Sequence, residues 1–209
     1  MKPGATETEI AELVRDAKEY GFHAVCVNPF YVRLTRRLLE GSDVKVCTVI
    51  GFPLGATLPG VKAREAEIVG RAGADEVDMV INIGALKSGM DDIVYEDIRA
   101  VVRSFKSAVP GGVVKVILEV GLLNREEIEA ACLAAEEAGA DFVKTCTGFG
   151  PRGATVEDVV LLKRLVGGRL GIKAAGGIRS YKQALRLIEA GATRIGTSSG
   201  VKIAREAPE

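Results

Sequence analysis

An excess of charge of either sign is the first thing this chain lacks: Lys+Arg and Asp+Glu number 28 each in 209 residues. A balanced surface casts no long-range field, which excludes nucleic acid and anionic membrane as main partners. A small anion such as a phosphate monoester can still be held locally. Paired cysteine motifs are missing as well. Cys26, Cys47, Cys132 and Cys146 form no CxxC, and three of them sit in apolar runs. That is the usage of reduced, buried thiols in a cytosolic protein, and it argues against a metal site. The chain shows no secretory leader and no apolar run long enough to cross a bilayer, so a cytoplasmic location is expected. Glutamine occurs once and asparagine three times amid many Glu, Lys and Arg, the balance expected of a thermophilic source.

What is present is alternation. Thr6-Glu-Thr-Glu-Ile10 predicts a helix start, after which Ile10, Leu13, Val14 and Ala17 recur at helical spacing up to Gly21. Apolar runs predict strands over 22–27, 44–50, 76–82 and 113–119, around Lys144, and over 170–175 and 193–196. Between them lie helical patterns near 30–40, 61–72, 91–108, 124–138, 156–166 and 180–189, with Thr155 as the cap of the fifth and a short helix after Ser199. Strictly alternating units imply a parallel sheet with helices outside. Seven units that begin with a helix predict one α/β domain over 1–209, a (β/α)8 TIM barrel lacking its first β-strand. A doubly wound sheet is the competitor. It carries its Gly-rich fingerprint after the first strand, whereas the phosphate-type glycines here follow the last three.

Side chains two apart share a face of a strand. Glu76, Asp78, Val80 and Asn82 therefore form one face, and Val77, Met79 and Ile81 an apolar opposite face. Lys115 and Glu119 share a face across Ile117, and Lys144 lines up with Phe142 and Cys146. With the apolar faces against the outer helices, Glu76, Asp78, Lys115, Lys144 and Lys173 should point into the barrel. Ion pairs that merely fill the barrel layers are the bland reading. Position favours more for Lys144 and Lys173, which lie near C-terminal strand ends, where barrels of this kind carry their functional residues.

A neutral lysine attacks a carbonyl to give a Schiff base, an electron sink for breaking a neighbouring C–C bond. A free amine with pKa about 10.4 is neutral in only about one part in 10³ at pH 7. A second ammonium about 5 Å away adds roughly 3 kcal/mol of repulsion at an effective dielectric near 20, about two pKa units. Desolvation acts in the same direction. Asp78 would then move protons, directly or through water. Gly148, Gly176-Gly177 and Gly196-Thr-Ser198-Ser199, at three successive strand ends, predict a phosphate cup built from backbone N–H groups and the start of the last helix.

Lys144-Thr-Cys-Thr-Gly148, Lys173-Ala-Ala-Gly-Gly-Ile-Arg179, Glu76-Val-Asp78, Val25-Cys-Val-Asn-Pro29, Gly51-Phe-Pro53 and Gly196-Thr-Ser-Ser199 together resemble the deoxyribose-phosphate aldolases, class I aldolases. The resemblance runs from about Lys2 to Val201. It implies reversible cleavage of 2-deoxy-D-ribose 5-phosphate to D-glyceraldehyde 3-phosphate and acetaldehyde, with no metal or other cofactor, in a homodimer or homotetramer. It implies that Lys144 forms the Schiff base, Lys173 tunes it and Asp78 relays protons. Gly148, Gly176, Gly177, Ser198 and Ser199 match phosphate-binding positions, and Cys26 matches a cysteine near the site. Two departures stand out. Relatives carry a strand before the turn that is here Lys2-Pro3-Gly4-Ala-Thr6, directly after Met1. Phe149 occupies a place where some relatives have a lysine beside the phosphate, which predicts weaker phosphate affinity. A related barrel enzyme acting on another sugar phosphate, or a non-catalytic phosphosugar binder, are the alternatives at this point.

Overall fold

The computed structural model describes residues 1–208. Seven strands follow one another in chain order, every neighbouring pair parallel: β1 (Ala24–Cys26), β2 (Lys45–Ile50), β3 (Glu76–Val80), β4 (Val113–Ile117), β5 (Phe142–Lys144), β6 (Gly171–Ala175) and β7 (Arg194–Gly196). The order never reverses, so the doubly wound alternative, which needs a switch point, is set aside. Helix α1 (Glu7–Glu19) precedes β1, and α2 (Val32–Leu38) and α3 (Pro59–Arg71) follow β1 and β2. After β3 come α4 (Ile83–Lys87) and α5 (Asp91–Ala108). The later strands are each followed by one helix: α6 (Arg125–Glu137), α7 (Val156–Val166), α8 (Tyr181–Glu189) and α9 (Gly200–Glu206).

The sheet is curled into a TIM-barrel-type shape, and side-chain reach shows it. In a flat sheet β3 and β6 would lie roughly 14 Å apart, three strand spacings. Lys173 on β6 nevertheless touches Asp78 on β3 at 2.6 Å, and Arg194 on β7 reaches Glu76 on β3 at 2.8 Å. Strands β1 and β7 are the outermost of the sheet. Helices α9 and α1, which follow and precede them, meet through Arg205 Nε donating to the Tyr20 hydroxyl at 2.7 Å. The phenyl ring of Phe22 lies against Gly200.

Local chemistry sets the helix ends. Thr6 caps α1 and Thr155 caps α7, each in a reciprocal capping box, with Glu9 and Asp158 respectively. Both starts are at the residues their sequence signals indicated. The short α4 was not anticipated. One turn gives no periodicity to read, and its start depends on the Asn82 side chain accepting from Ala85 N. The predicted strands over 76–82 and 113–119 consequently end early, at Val80 and Ile117. Asn82 turns to capping, and Glu119 adopts a left-handed backbone, φ 57°, ahead of a 3-10 turn over Val120–Leu122.

Strand parity divides the buried side chains as expected. Val77, Met79 and Ile81 join Val114, Val116, Val143, Ile172 and Ala174 in one core with the apolar helix faces. Burying a side chain of this size contributes roughly 1.5–3 kcal/mol. Cys47, Val49, Val80, Ile117 and Ala175 are buried too but lie outside that core, at inward-facing positions. Between α3 and α5 the fully buried Lys62 donates to Asp97 at 2.5 Å and to the Val80 carbonyl at 2.8 Å. Burial pushes the Lys62 ammonium down and the Asp97 carboxyl up, each against the pull of the other. Such a buried pair adds little net stability. No described helix is long and apolar enough to cross a membrane.

Candidate active site

Because every strand is parallel, the loops after β5, β6 and β7 open at one end of the barrel, and the inward lysines lie just beneath it. Lys144 is the last residue of β5 and pairs in register with Lys173 on β6. Asp78, on β3, is completely buried and faces both. Its Oδ2 accepts from Lys144 Nζ at 2.8 Å and from Lys173 Nζ at 2.6 Å. The other oxygen, Oδ1, accepts from Lys115 Nζ at 2.9 Å and from the Cys47 thiol at 3.4 Å. Two amines on one carboxylate oxygen must lie within roughly 5 Å of each other. The expectation that Glu76, Asp78, Lys115, Lys144 and Lys173 meet on the inner face is met.

The electrostatics follow from burial and neighbours. Burial alone would raise the Asp78 carboxyl, but Lys144, Lys173 and Lys115 together hold it well below the usual carboxylate range. Burial would lower the Lys173 ammonium, yet the Asp78 carboxylate beside it holds it above its ordinary value. Lys115 is raised in the same way, burial being outweighed by the carboxylates of Asp78 and Glu76. One layer deeper, Glu76 accepts from Lys115, His23 and Arg194 at 2.7–2.9 Å. These partners overcome burial and hold its carboxyl down at about 2.

Arg194 and His23 were missed in the sequence. The signal for Arg194 was its parity with Gly196 on β7. For His23, just outside β1, there was none.

Cys26 pairs in register with Cys47 across β1 and β2. The adjoining Cys47 thiol lowers the Cys26 thiol to about 6, against burial and Asp78 and with help from Lys173 and Lys144. The two sulfurs and an Asp78 oxygen lie within 4.8 Å of one another. As a metal site this set is unfavourable, since both Asp78 oxygens already accept from ammonium groups and three positive charges oppose a cation.

At the barrel mouth Gly148, Gly176 and Gly177 all have left-handed backbone, φ 89°, 93° and 75°. A Cβ on Gly153 would meet the Gly176 carbonyl oxygen at 2.3 Å, and Ala154 N donates to that oxygen at 3.1 Å. The loops after β5 and β6 are thereby stitched together. Thr197 Oγ1 donates to the Ile178 carbonyl at 2.6 Å and ties in the loop after β7. Ser198 is exposed and Ser199 half-buried at the start of α9. Gly196 has a separate reason to be glycine: a side chain there would meet the Lys173 stem, Cε at 3.0 Å. Phe149 packs edge-on against Phe52 from the loop after β2, ring centroids 5.5 Å apart, which bridges the mouth.

Comparison with known proteins gives the family. A family model described as DeoC/LacD family aldolase matches residues 1–206. The deoxyribose-phosphate aldolase of Carboxydothermus hydrogenoformans is 58% identical over 203 residues, 97% of this chain and 89% of that one. The Thermococcus kodakarensis deoxyribose-phosphate aldolase is 57% identical over 211 residues, 100% of this chain and 93% of that one. Among solved structures, an aldolase named QR15 superposes with TM-score 0.92 at 49% identity, covering 98% of this chain and 90% of its own. The tetrameric deoxyribose phosphate aldolase from Aeropyrum pernix gives TM-score 0.90 at 40% identity, with 98% and 85% covered. Matched along almost its whole length, the chain belongs to the DeoC/LacD family of aldolases and is a carbon–carbon lyase of the deoxyribose-phosphate aldolase type.

Proposed function

We propose that the enzyme works as a class I aldolase, reversibly splitting 2-deoxy-D-ribose 5-phosphate into D-glyceraldehyde 3-phosphate and acetaldehyde through a Schiff base on Lys144. The observation that carries this reading is the single oxygen of Asp78 shared by Lys144 and Lys173. The resemblance to the deoxyribose-phosphate aldolases assigns Lys144 as the nucleophile and Lys173 as its charged neighbour, and the surroundings of Lys173 favour its charged form. Lys144 Nζ adds to the substrate aldehyde carbon, and loss of water from the carbinolamine gives an iminium. Removal of the C3 hydroxyl proton breaks the C2–C3 bond. The electron pair moves into the iminium as an enamine, and the phosphorylated aldehyde leaves. Protonation of the enamine carbon and hydrolysis then free acetaldehyde and the amine.

In this mechanism Asp78 passes protons between carbinolamine, water and Lys173, while Lys173 keeps a positive charge beside the reacting nitrogen. Gly148, Gly176, Gly177, Gly196, Ser198 and Ser199 hold the phosphate through backbone N–H groups and hydroxyls. We take the enzyme to act as one domain, in the cytoplasm and as a homodimer or homotetramer. The last point is supported by exposed Phe30, Leu54, Leu58, Val61 and Ile68, apolar side chains suited to cover by a second copy. Acetaldehyde with borohydride should leave a two-carbon adduct on the peptide bearing Lys144. An adduct on another lysine, or none in folded protein, would overturn the assignment.

A further inference from the structure

Glu119 combines three anomalies that the mechanism does not use. It is the one non-glycine residue with positive φ among the described residues, a conformation that side chains disfavour and that persists only where the surroundings impose it. It is 3% exposed. Its Oε1 is one of two buried side-chain oxygens without a hydrogen-bond partner among the described residues.

The rest of its contacts run to one place. Oε2 accepts from Thr147 N at 3.0 Å and from the Thr147 hydroxyl, and Thr147 Oγ1 in turn accepts from Phe149 N at 3.0 Å. Gly150 packs directly on the carboxylate, where a Cβ would come within 2.5 Å of Oε1. The strained residue at the end of β4 therefore grips the loop after β5 from beneath, from Thr147 to Gly150. The gripped segment begins three residues after Lys144 and contains Gly148.

We propose that Glu119 is a positioning residue: through Thr147 it holds the loop after Lys144 in the shape that presents Gly148 to the phosphate of the substrate. The role rests on the phosphate-cup reading given under Proposed function. It concerns binding of the phosphorylated end, since the side-chain hydrogen bonds of Glu119 among the described residues run to Thr147 and none to a lysine of the Asp78 cluster.

The test condenses acetaldehyde with D-glyceraldehyde 3-phosphate or with unphosphorylated D-glyceraldehyde. Glu119→Gly removes the carboxylate and also relieves the left-handed backbone, so the fold has no new strain to absorb. It should raise KM for the phosphorylated acceptor about tenfold or more, with kcat within about threefold of the parent. KM for D-glyceraldehyde and borohydride trapping on Lys144 should not change. Glu119→Gln should restore most of the affinity, because its amide oxygen can accept both Thr147 bonds. Thr147→Val, which keeps only the N–H, should fall between, and it decides the matter alone if Glu119→Gly fails to fold.

A parental KM for the phosphorylated acceptor in these variants overturns the role, as does an equal loss on both acceptors. Lost trapping in folded Glu119→Gly overturns it too, by moving Glu119 to the amine chemistry. A parent enzyme indifferent to the acceptor's phosphate overturns the cup itself, and with it this role. The parent comparison thus reads the cup, and the variant comparison reads Glu119.

Discussion

Replacing Lys173 by leucine removes one charge from beside Lys144 and keeps an apolar stem. Asp78 Oδ2 accepts from the two amines at 2.8 and 2.6 Å, which keeps the nitrogens within roughly 5 Å. At an effective dielectric near 20, a unit charge at that distance contributes about 3 kcal/mol, or about a hundredfold in the population of uncharged amine. Lys173 supplies that charge dependably, because the Asp78 carboxylate outweighs the burial that would otherwise neutralise it. In the variant, Asp78 faces only Lys115 and Lys144 and favours their ammonium forms. The assay is the rate at which acetaldehyde and cyanoborohydride modify Lys144, followed from about pH 6 to about pH 10. Lys173→Leu should be about a hundredfold slower at pH 7, with the deficit narrowing at alkaline pH, where hydroxide takes the proton without help. A variant as fast as the parent removes the neighbouring charge from the mechanism. A deficit of constant size at every pH would mean that Lys173 acts as a proton donor or spacer instead of a charge.

Two further outcomes test the layers around this centre. The Glu76 carboxyl is held at about 2 in the fold against an ordinary 4.5. Its contribution is therefore complete above about pH 4.5 and lost as pH falls from there towards 2. Discounted for screening at its wetter edge, that is about 2 kcal/mol. Glu76→Gln should melt several degrees lower at pH 7, with the gap to the parent closing by about pH 2–3. A gap that stays constant across that window refutes the ion network as its cause. Gly153→Ala should part the loops after β5 and β6, since its methyl would meet the Gly176 carbonyl. KM for the phosphorylated substrate should rise while Lys144 trapping persists, and an unchanged KM would show that the cup does not depend on the stitching.

The inner cluster was legible in the sequence because period-two parity is a local property. Glu76 and Asp78 alternate with Val77 and Met79, so the burial of one set against helices forces the other inward, and Lys115, Lys144 and Lys173 follow by the same rule. The cap signals at Thr6 and Thr155 are local as well. What escaped depends on contacts distant in sequence. Lys62 in α3 meets Asp97 in α5, and neither residue differs by pattern from a solvated helix charge. The sharp turn at Glu119 has no glycine to mark it. It is held by Thr147, a residue of the next unit, so a reading of 113–119 by alternation alone ran the strand two residues too far. Gly196 has a second reason to lack a side chain that no local pattern shows, the Lys173 stem lying against it.

The charge count inside the barrel gives Lys115 a role as well. Two carboxylates, Glu76 and Asp78, face Lys115, Lys144, Lys173 and Arg194. Lys115 bridges the two acids, bonded to Glu76 at 2.7 Å and to Asp78 at 2.9 Å. Arg194 takes up Glu76. With the deeper acid satisfied from its own level, Oδ2 of Asp78 is left to the upper pair, where one oxygen serves two amines. A buried excess of positive charge is unfavourable, and the proposed chemistry relieves it in two ways at once. One of the two upper amines gives up its proton and becomes the nucleophile, and the remaining positive potential draws a phosphorylated substrate to the mouth above. On the proposed reading, a cation-rich interior open at its glycine-lined end would serve both the attack on the aldehyde and the capture of the phosphate, with Lys115 and Glu76 beneath it.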